Sequence, residues 1–245
     1  RAIDGPNPFR VPKFGSSTGM VADHVEGTNP TDGTLVMDEQ VITPAAKSGQ
    51  YTASREMVEG SNPAVDSIIM AAMMESYIVG SEADAVTALL AGATAGTAIT
   101  EAGGAFAMAV RGRHIEFNAG GRKRAANVSL AGTELFGALA TEVDASDRPM
   151  LPDLGPSNAP GTVGNGLLSL NVGGLNTPLV SGLTGGGLVL GVQSDFITFE
   201  SGLRSWRFEE VDGPANIRFA VFGYLAFAVI RAAGIHKFAW TAAGA

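Results

Sequence analysis

The sequence has 245 residues, 45% of them hydrophobic, enough for one large domain or two modest ones with a sizeable buried core, and it excludes wholesale disorder. It holds no cysteine, which excludes a disulfide framework and a thiolate metal site, so stability must come from packing and association. A formal net charge of −8 excludes a dedicated nucleic-acid binder, because phosphate binding rests on clustered Lys and Arg, and leaves only local contact with DNA open.

The sequence opens at Arg1 with neither an initiator Met nor a charged-then-apolar signal segment, which fits removal of an upstream piece or a sequence limited to part of a longer chain. Residues 1–27 carry Pro6, Pro8 and Pro12 among Gly5, Asn7 and Gly15, a composition that cannot propagate a helix, and an extended arm is expected. GTNPTDG, from Gly27 to Gly33, supplies the turn chemistry of a projecting hairpin. Two alternating stretches follow, TLVMDEQVIT and AAKSGQYTASREM, interrupted by Pro44, which suits exposed or edge strands. Ser61-Asn62-Pro63 then reads as a helix start, with Asn62 as cap, Pro63 in the first turn and Asp66 against the positive end of the dipole. Val65, Ile69, Ala72, Met73, Tyr77, Val86, Leu89 and Leu90 recur at helical spacing, and Gly92 with Gly96 ends the run near Leu90. About 28 residues at roughly 1.5 Å each predict a rod of about 42 Å. A weaker helix is predicted over Thr97–Val110.

Beyond Asn127 the pattern becomes a short helix near Thr133–Ala140, a Pro- and Gly-rich loop over Asp147–Gly166, and short β-runs to Glu200, together a separate mixed α/β lobe. Arg204–Val211 and Asn216–Val229 are then strands joined by the turn signal Asp212-Gly213-Pro214, a second projecting hairpin. The longest apolar run, Phe219–Ile230, falls short of the roughly 20 residues that cross a bilayer and reads as a buried strand, so no membrane partner is expected.

The passage VITPAAKSGQYTASREMVEGSNPAVDSIIMAAMMESYIVGSEADAVTALLAG resembles the segment of Hong Kong 97-type capsid proteins that leaves the extended loop and enters the spine helix. The strand ends at Ser54-Arg55-Glu56, polar residues follow from Glu59 to Pro63, and the helix ends at Leu89-Leu90-Ala91-Gly92, as in that family. SWRFEEVDGPANIRFAVFGYLAFAVIRAAGIHKF is similar to the family's closing peripheral strands, peripheral loop and final strand. The order of the two matches carries the resemblance, over roughly residues 20–240.

What the resemblance implies is an α+β fold of the Hong Kong 97 type. Its parts would be an N-terminal arm (1–25), an extended β-hairpin loop (26–57), a peripheral domain (58–124 and 204–229) and an axial domain of mixed α/β structure (125–203 and 230–240). The spine helix would span about 63–90 and the peripheral loop about 210–216. The implied role is that of a major capsid protein of a tailed double-stranded DNA bacteriophage. Such subunits form hexamers and pentamers of an icosahedral shell, made in the bacterial cytoplasm, that encloses DNA without sequence-specific binding. Portal, scaffolding and decoration proteins are the further partners it implies.

Charge suggests a contact between copies. Glu26, Asp32, Asp38 and Glu39 make the extended loop acidic, whereas Arg111, Arg113, Arg122, Lys123 and Arg124 form a basic stretch opposed only by Glu116. A solvated basic loop, or one touching DNA, explains the stretch as simply. Asp212, Pro214 and Asn216 of the peripheral loop are further expected contacts. Some relatives of this type crosslink an extended-loop Lys to a peripheral-loop Asn. Asn216 is suitably placed, but residues 26–39 hold no lysine and Lys47 lies toward the base, so no crosslink is expected.

No catalytic, cofactor or metal site is expected. His24, His114 and His236 stand apart, without the spacing of metal ligands, and read as surface or packing residues. Gly185–Gly187 lack the Lys-Ser/Thr that a phosphate loop needs and read as a β-turn. Met70, Met73 and Met74 read as core packing, and the sequon at Asn127 as chance. The rival within the fold is an encapsulin-like compartment shell, disfavoured because Pro6, Pro8 and Pro12 oppose the cargo-docking helix with which those shells begin. An α+β hydrolase would need clustered acid and base groups that this sequence does not offer, and a long helix after the loop ill fits a decoration or tail-tube protein.

Overall fold

A computed structural model describes residues 1–60, 65–96, 105, 107, 109–110, 112–114, 125–144, 146–147, 169–183, 187–209 and 213–240. In chain order its elements are β1 (Phe9–Thr18), β2 (Thr34–Ile42), β3 (Ala45–Ser54), α1 (Arg55–Glu59), α2 (Val65–Gly92), β4 (Thr94–Ala95), β5 (Val128–Ala131) and α3 (Thr133–Thr141). The strands β6 (Ser169–Val172), β7 (Leu175–Pro178), β8 (Leu188–Gly191), β9 (Phe196–Glu200), β10 (Arg204–Phe208), β11 (Asn216–Val229) and β12 (Ile235–Phe238) follow. The chain divides into two compact units, Arg1–Ala85 with Ile197–Ile230, and Val86–Phe196 with Arg231–Ala245.

The first unit is organised by β11, whose 14 residues alternate between buried and half-buried positions as the apolar run predicts. It pairs antiparallel with β3 from Asn216↔Ser54 to Leu225↔Ala45, and with β10 from Phe208↔Arg218 to Arg204↔Phe222. β9 completes the sheet against β11. Ile217 and Phe219, 0% and 2% exposed, form a core with Ala53 of β3 and Ile69 of α2. Each such large apolar side chain contributes about 1.5–3 kcal/mol by leaving water.

Two expectations are corrected here. The strand β2 does not pair with β3; its partner is β1, in register from Phe9↔Ile42 to Thr18↔Thr34, so the hairpin begins near residue 9 and not at 26. The arm is thereby absorbed: residues 9–18 form the hairpin's first strand, and Ala2 bridges Glu200 in parallel, with the Ile3 amide donating to the Glu200 carbonyl at 3.1 Å. Proline explains the misreading. It breaks helices, but its fixed φ suits an extended strand, and a two-stranded ribbon has outward-facing edges where a missing N–H costs no ladder bond.

The hairpin's base is packed on its own chain. Val11 and Ile42 are buried with Phe199, Ala226 and Ala228, and Phe9 stacks edge-on against Phe199 at 4.9 Å. Beyond Val11 and Gln40 the ribbon continues seven more residues to Thr18, a reach of about 23 Å at ~3.3 Å per residue.

The helix expected over 63–90 is α2, 28 residues from Val65 to Gly92; its proposed cap, Asn62-Pro63, lies outside the described residues. The predicted apolar face is only partly buried, with Ile69, Val86 and Leu89 covered. Before it, Ser54 caps α1, its Oγ accepting from the Met57 amide at 3.3 Å. The strand predicted to reach Val211 ends at Phe208.

The second unit is built on a four-stranded sheet in the order β4-β12-β8-β5, with β4 parallel to β12 and the other pairs antiparallel. Its α3 matches the predicted short helix, and Leu135, Phe136 and Leu139 bury one face against Leu188, Leu190 and Phe238. The ribbon β6–β7 turns at Gly173 and Gly174, with φ of 58° and 81°, a conformation that side-chain-bearing residues resist. Where described, residues 105–114 are helical, extending past the predicted end at Val110. The Pro- and Gly-rich loop over 147–166 lies almost wholly outside the described residues, as do Gly185 and Gly186. Asn127 is a structural residue, its Oδ1 accepting from the Gln193 amide at 2.8 Å. No described helix is long and apolar enough to cross a membrane.

His236 lies in the central strand β12, opposite Thr94 and Leu190, 4% exposed and with no hydrogen bond at Nδ1. Burial pushes its pKa below the ordinary 6.5, because desolvation opposes the charged ring. Above that value folded and unfolded chains are both neutral; below it the unfolded chain takes up a proton that the folded one resists, so stability falls as pH drops through 6.5. Thermal unfolding of the subunit should show this loss toward about pH 5, and His236→Gln should lessen it. Equal slopes in both proteins would refute the assignment.

Candidate functional site

The β1–β2 ribbon, the edge strand β10 and the exposed face of α2 are the surfaces that the first unit's own fold leaves open; the second hairpin expected from the sequence does not project, because β11 is paired on its other side by β3. Alternation along β2 puts Leu35, Met37, Glu39 and Val41 on one side, and the three apolar members are 48%, 58% and 57% exposed. On α2 Ile68, Ala71, Ala72, Ile78 and Val79 are exposed on one side of the helix, in two apolar groups with Glu75 between them. A helix apolar beyond its buried face belongs in an environment that covers more than one side. Trp206 and Phe208 of β10, 41% and 42% exposed, continue this pattern. Open strand edges with such side chains are templates for another chain.

The predicted contact residues fall into four groups, the last being Pro214 and Asn216. Glu26 and Asp32 are exposed in the connection between β1 and β2, the hairpin's tip. Asp38 stands opposite Lys13, and Glu39 is bonded by Arg10, so the hairpin already balances part of its acidity. In the second unit Arg113 donates from its guanidinium to the Gly173 carbonyl and is tied to the β6–β7 turn. Arg111, Arg122, Lys123, Arg124 and Asp212 lie outside the described residues.

Pro214 and Asn216 come together with a residue that the sequence showed only as part of a motif. Arg55, the first residue of α1, donates from Nε to the Pro214 carbonyl at 2.6 Å and from its second terminal nitrogen to the Glu209 carbonyl at 3.0 Å. Its first terminal nitrogen reaches Glu59 at 3.2 Å, and its amide donates to the Ala215 carbonyl at 2.8 Å. Arg207 adds ion pairs to Asp66 and, at 3.3 Å, to Glu209, with its guanidinium 6.0 Å from the Phe219 ring. Asp66, predicted as a dipole partner, is thus also an ion-pair partner. Asn216 is half-buried at the start of β11, opposite Ser54. The local signal for this cluster is the Ser-Arg-Glu turn; the Pro214 and Glu209 carbonyls that Arg55 holds lie more than 150 residues away.

A cleft of about 840 Å³ lies between β3 and α2, lined by residues such as Gln50, Tyr51, Ile69, Met73 and Tyr77. Its chemistry is that of a packing surface. Lys47, its one charged lining residue, donates to the Gly80 carbonyl at 2.7 Å and pairs with Asp84 at 2.8 Å. A Cβ on Gly80 would stand 3.0 Å from that Nζ, so a larger residue there would make the lysine shift. The Tyr77 hydroxyl is pushed up to about 12 by burial and by its 3.0 Å hydrogen bond to Glu200, so it neither gives nor takes a proton near neutrality. Among the described residues no three His, Asp or Glu side chains gather as metal ligands.

Comparison with known proteins agrees with this picture. The fold is shared with a chain from Microbacterium phage Oxtober96, at 11% identity and a TM-score of 0.67, covering 98% of this chain and 88% of that one. A chain described as the capsid of native GTA particle computed with C5 symmetry gives 14% identity and a TM-score of 0.67, covering 99% and 87%. One from Mycobacterium phage Bobi gives 10% and 0.66, covering 99% and 88%. No curated protein matches the sequence. The family model for phage capsid proteins matches residues 38–238, which include β3, α2 and all of β11, so this chain belongs to the phage capsid protein family and has the Hong Kong 97-type fold.

Proposed function

We propose that this chain is the major shell subunit of a tailed-phage head, forming hexamers and pentamers that close around double-stranded DNA. The observation that carries it is apolar side chains left in water on two separate elements, Leu35, Met37 and Val41 on the hairpin and Ile68, Ile78 and Val79 on α2. Sister copies covering these faces would remove that cost. In this reading the β1–β2 ribbon is the extended loop, α2 the spine helix, the segment joining β10 to β11 the peripheral loop, the first unit's sheet the peripheral domain and the second unit the axial domain. Assembly takes place in the host cytoplasm, with portal, scaffolding and decoration proteins as further partners.

The charge pairing between copies is narrowed by the in-chain partners of Glu39 and Arg113. What remains for a neighbour is the tip pair Glu26 and Asp32 against Arg111, Arg122, Lys123 and Arg124. A crosslink is still disfavoured, now for a different reason. The hairpin does carry a lysine, Lys13, but it faces Asp38, Lys47 is held at Gly80 and Asp84, and Asn216 is half-buried in the sheet.

Negative-stain microscopy of the purified chain should show closed polyhedral shells of virus-like size, and a stable monomer at every concentration and salt would overturn the reading. Dissociated shells should run on a denaturing gel as a single band of subunit mass; a ladder of multiples would mean that subunits are covalently joined. Changing Arg122, Lys123 and Arg124 together to Glu should lower shell yield and salt tolerance, and unchanged shells would remove the charge pairing.

A further inference from the structure

We propose that Arg55 is the positioning residue for the ends of the segment joining β10 to β11, holding them in the shape that meets another copy of this chain. The inference rests on the shell-subunit reading and deepens it. The β10–β11 ladder ends at Phe208↔Arg218, so Glu209 and Gly213–Ala215 lie past its last pair, Gly213 in an isolated bridge. Arg55 adds bonds to both limbs there. Its guanidinium bonds the Glu209 carbonyl on one limb and the Pro214 carbonyl on the other, while its own amide takes the Ala215 carbonyl. One planar fork thereby ties both limbs beyond the ladder with donors set in fixed directions, which an ammonium on a flexible stem does not provide.

The placement of the fork is itself fixed. Ser54 ends β3 opposite Asn216 and caps α1, so the residue after it must stand at the mouth of this connection. Glu209, Gly213, Pro214 and Ala215 are exposed, with Trp206 and Phe208 exposed beside them, so the ordered limbs face a partner and not the chain's own core. Ordering them before contact removes an entropy cost from each association step. Because a closed shell repeats that step in every subunit, a small loss per contact is amplified in the yield.

The test compares Arg55→Ala, Arg55→Lys and Glu59→Gln with wild type, by hydrogen exchange at Gly213 and Ala215 in the unassembled subunit and by shell yield from sedimentation and microscopy. Arg55→Ala should keep a cooperative thermal transition, exchange these amides about tenfold faster or more, and lower shell yield by about tenfold. Arg55→Lys, which keeps the charge without the fork, should behave like Arg55→Ala, and Glu59→Gln like wild type. Wild-type yield from Arg55→Ala overturns the proposal whatever its exchange rates, as does full rescue by lysine. If Arg55→Ala loses its cooperative transition, the lysine variant decides alone. Failure of the wild-type chain to form any shell would instead count against the shell-subunit reading, leaving the exchange result to report on the clamp itself.

Discussion

The pairing of β11 with β3 is the constraint from which the first unit follows. Ten consecutive partners, from Asn216↔Ser54 to Leu225↔Ala45, join the start of the chain to its last quarter and leave no freedom of register, because a slip of one residue would turn Ile217, Phe219 and Val221 out of the core. With that register set, Ser54 and Asn216 stand together, and α1 starts at the mouth of the β10–β11 connection. The α2 residues Ile69 and Met73 fall over the buried face of the sheet. At the other end of β11, Ala226 and Ala228 receive the base of the β1–β2 ribbon. Clamp, helix seat and ribbon base are consequences of a single ladder.

The same sheet explains why the unit is incomplete as a monomer. A two-stranded ribbon is at best marginally stable in water, and the buried residues that anchor this one, Val11 and Ile42, sit at its base. From Ser16 outward β1 is exposed, and its order depends on what lies beside it. The α2 helix makes the same point differently, since its residues are apolar on the buried side at Ile69 and on the open side at Ile68 and Ile78. Solubility of the free subunit is helped by the net charge of −8, which opposes indiscriminate association, so that only contacts of good shape overcome the repulsion.

How much of this was legible in the sequence depended on how far apart the cooperating residues lie. The α2 helix was readable because its spacing and terminal glycines are local. So were β11, from its uninterrupted apolar run, and α3. The pairing of β2 with β1 was not, because Pro6, Pro8 and Pro12 signal the absence of helix and are equally consistent with a loose arm and with a ribbon strand. The partner of β3 was likewise invisible, since local alternation tells that a strand exists but not whether its mate is the neighbouring strand or one some 160 residues on. The candidate contacts suffered for the same reason. Pro214 and Asn216 could be placed near a turn, whereas the arginine that organises them belongs to a motif near residue 55, and the in-chain partners of Glu39 and Arg113 appear only once Arg10 and Gly173 are brought alongside.

The resulting division of labour is physically sensible for a capsid protein. Side chains that must never let go, such as Phe219 and Leu188, are sealed inside one unit or the other and contribute a fixed stability to every subunit. The groups left at the surface are of moderate strength singly: aliphatic faces on a ribbon and a helix, a few carboxylates at a hairpin tip, and a clamped pair of loop ends. A misplaced subunit held by one of these can dissociate, while a correctly placed one held by several at once gains from their high mutual concentration and stays. Rotational closure leaves no edge free to add another copy, which stops growth. A chain with one very strong surface would trap its own errors; this one spreads its affinity over several weak ones, and that is what allows a large closed shell to be both correctable during growth and durable once complete.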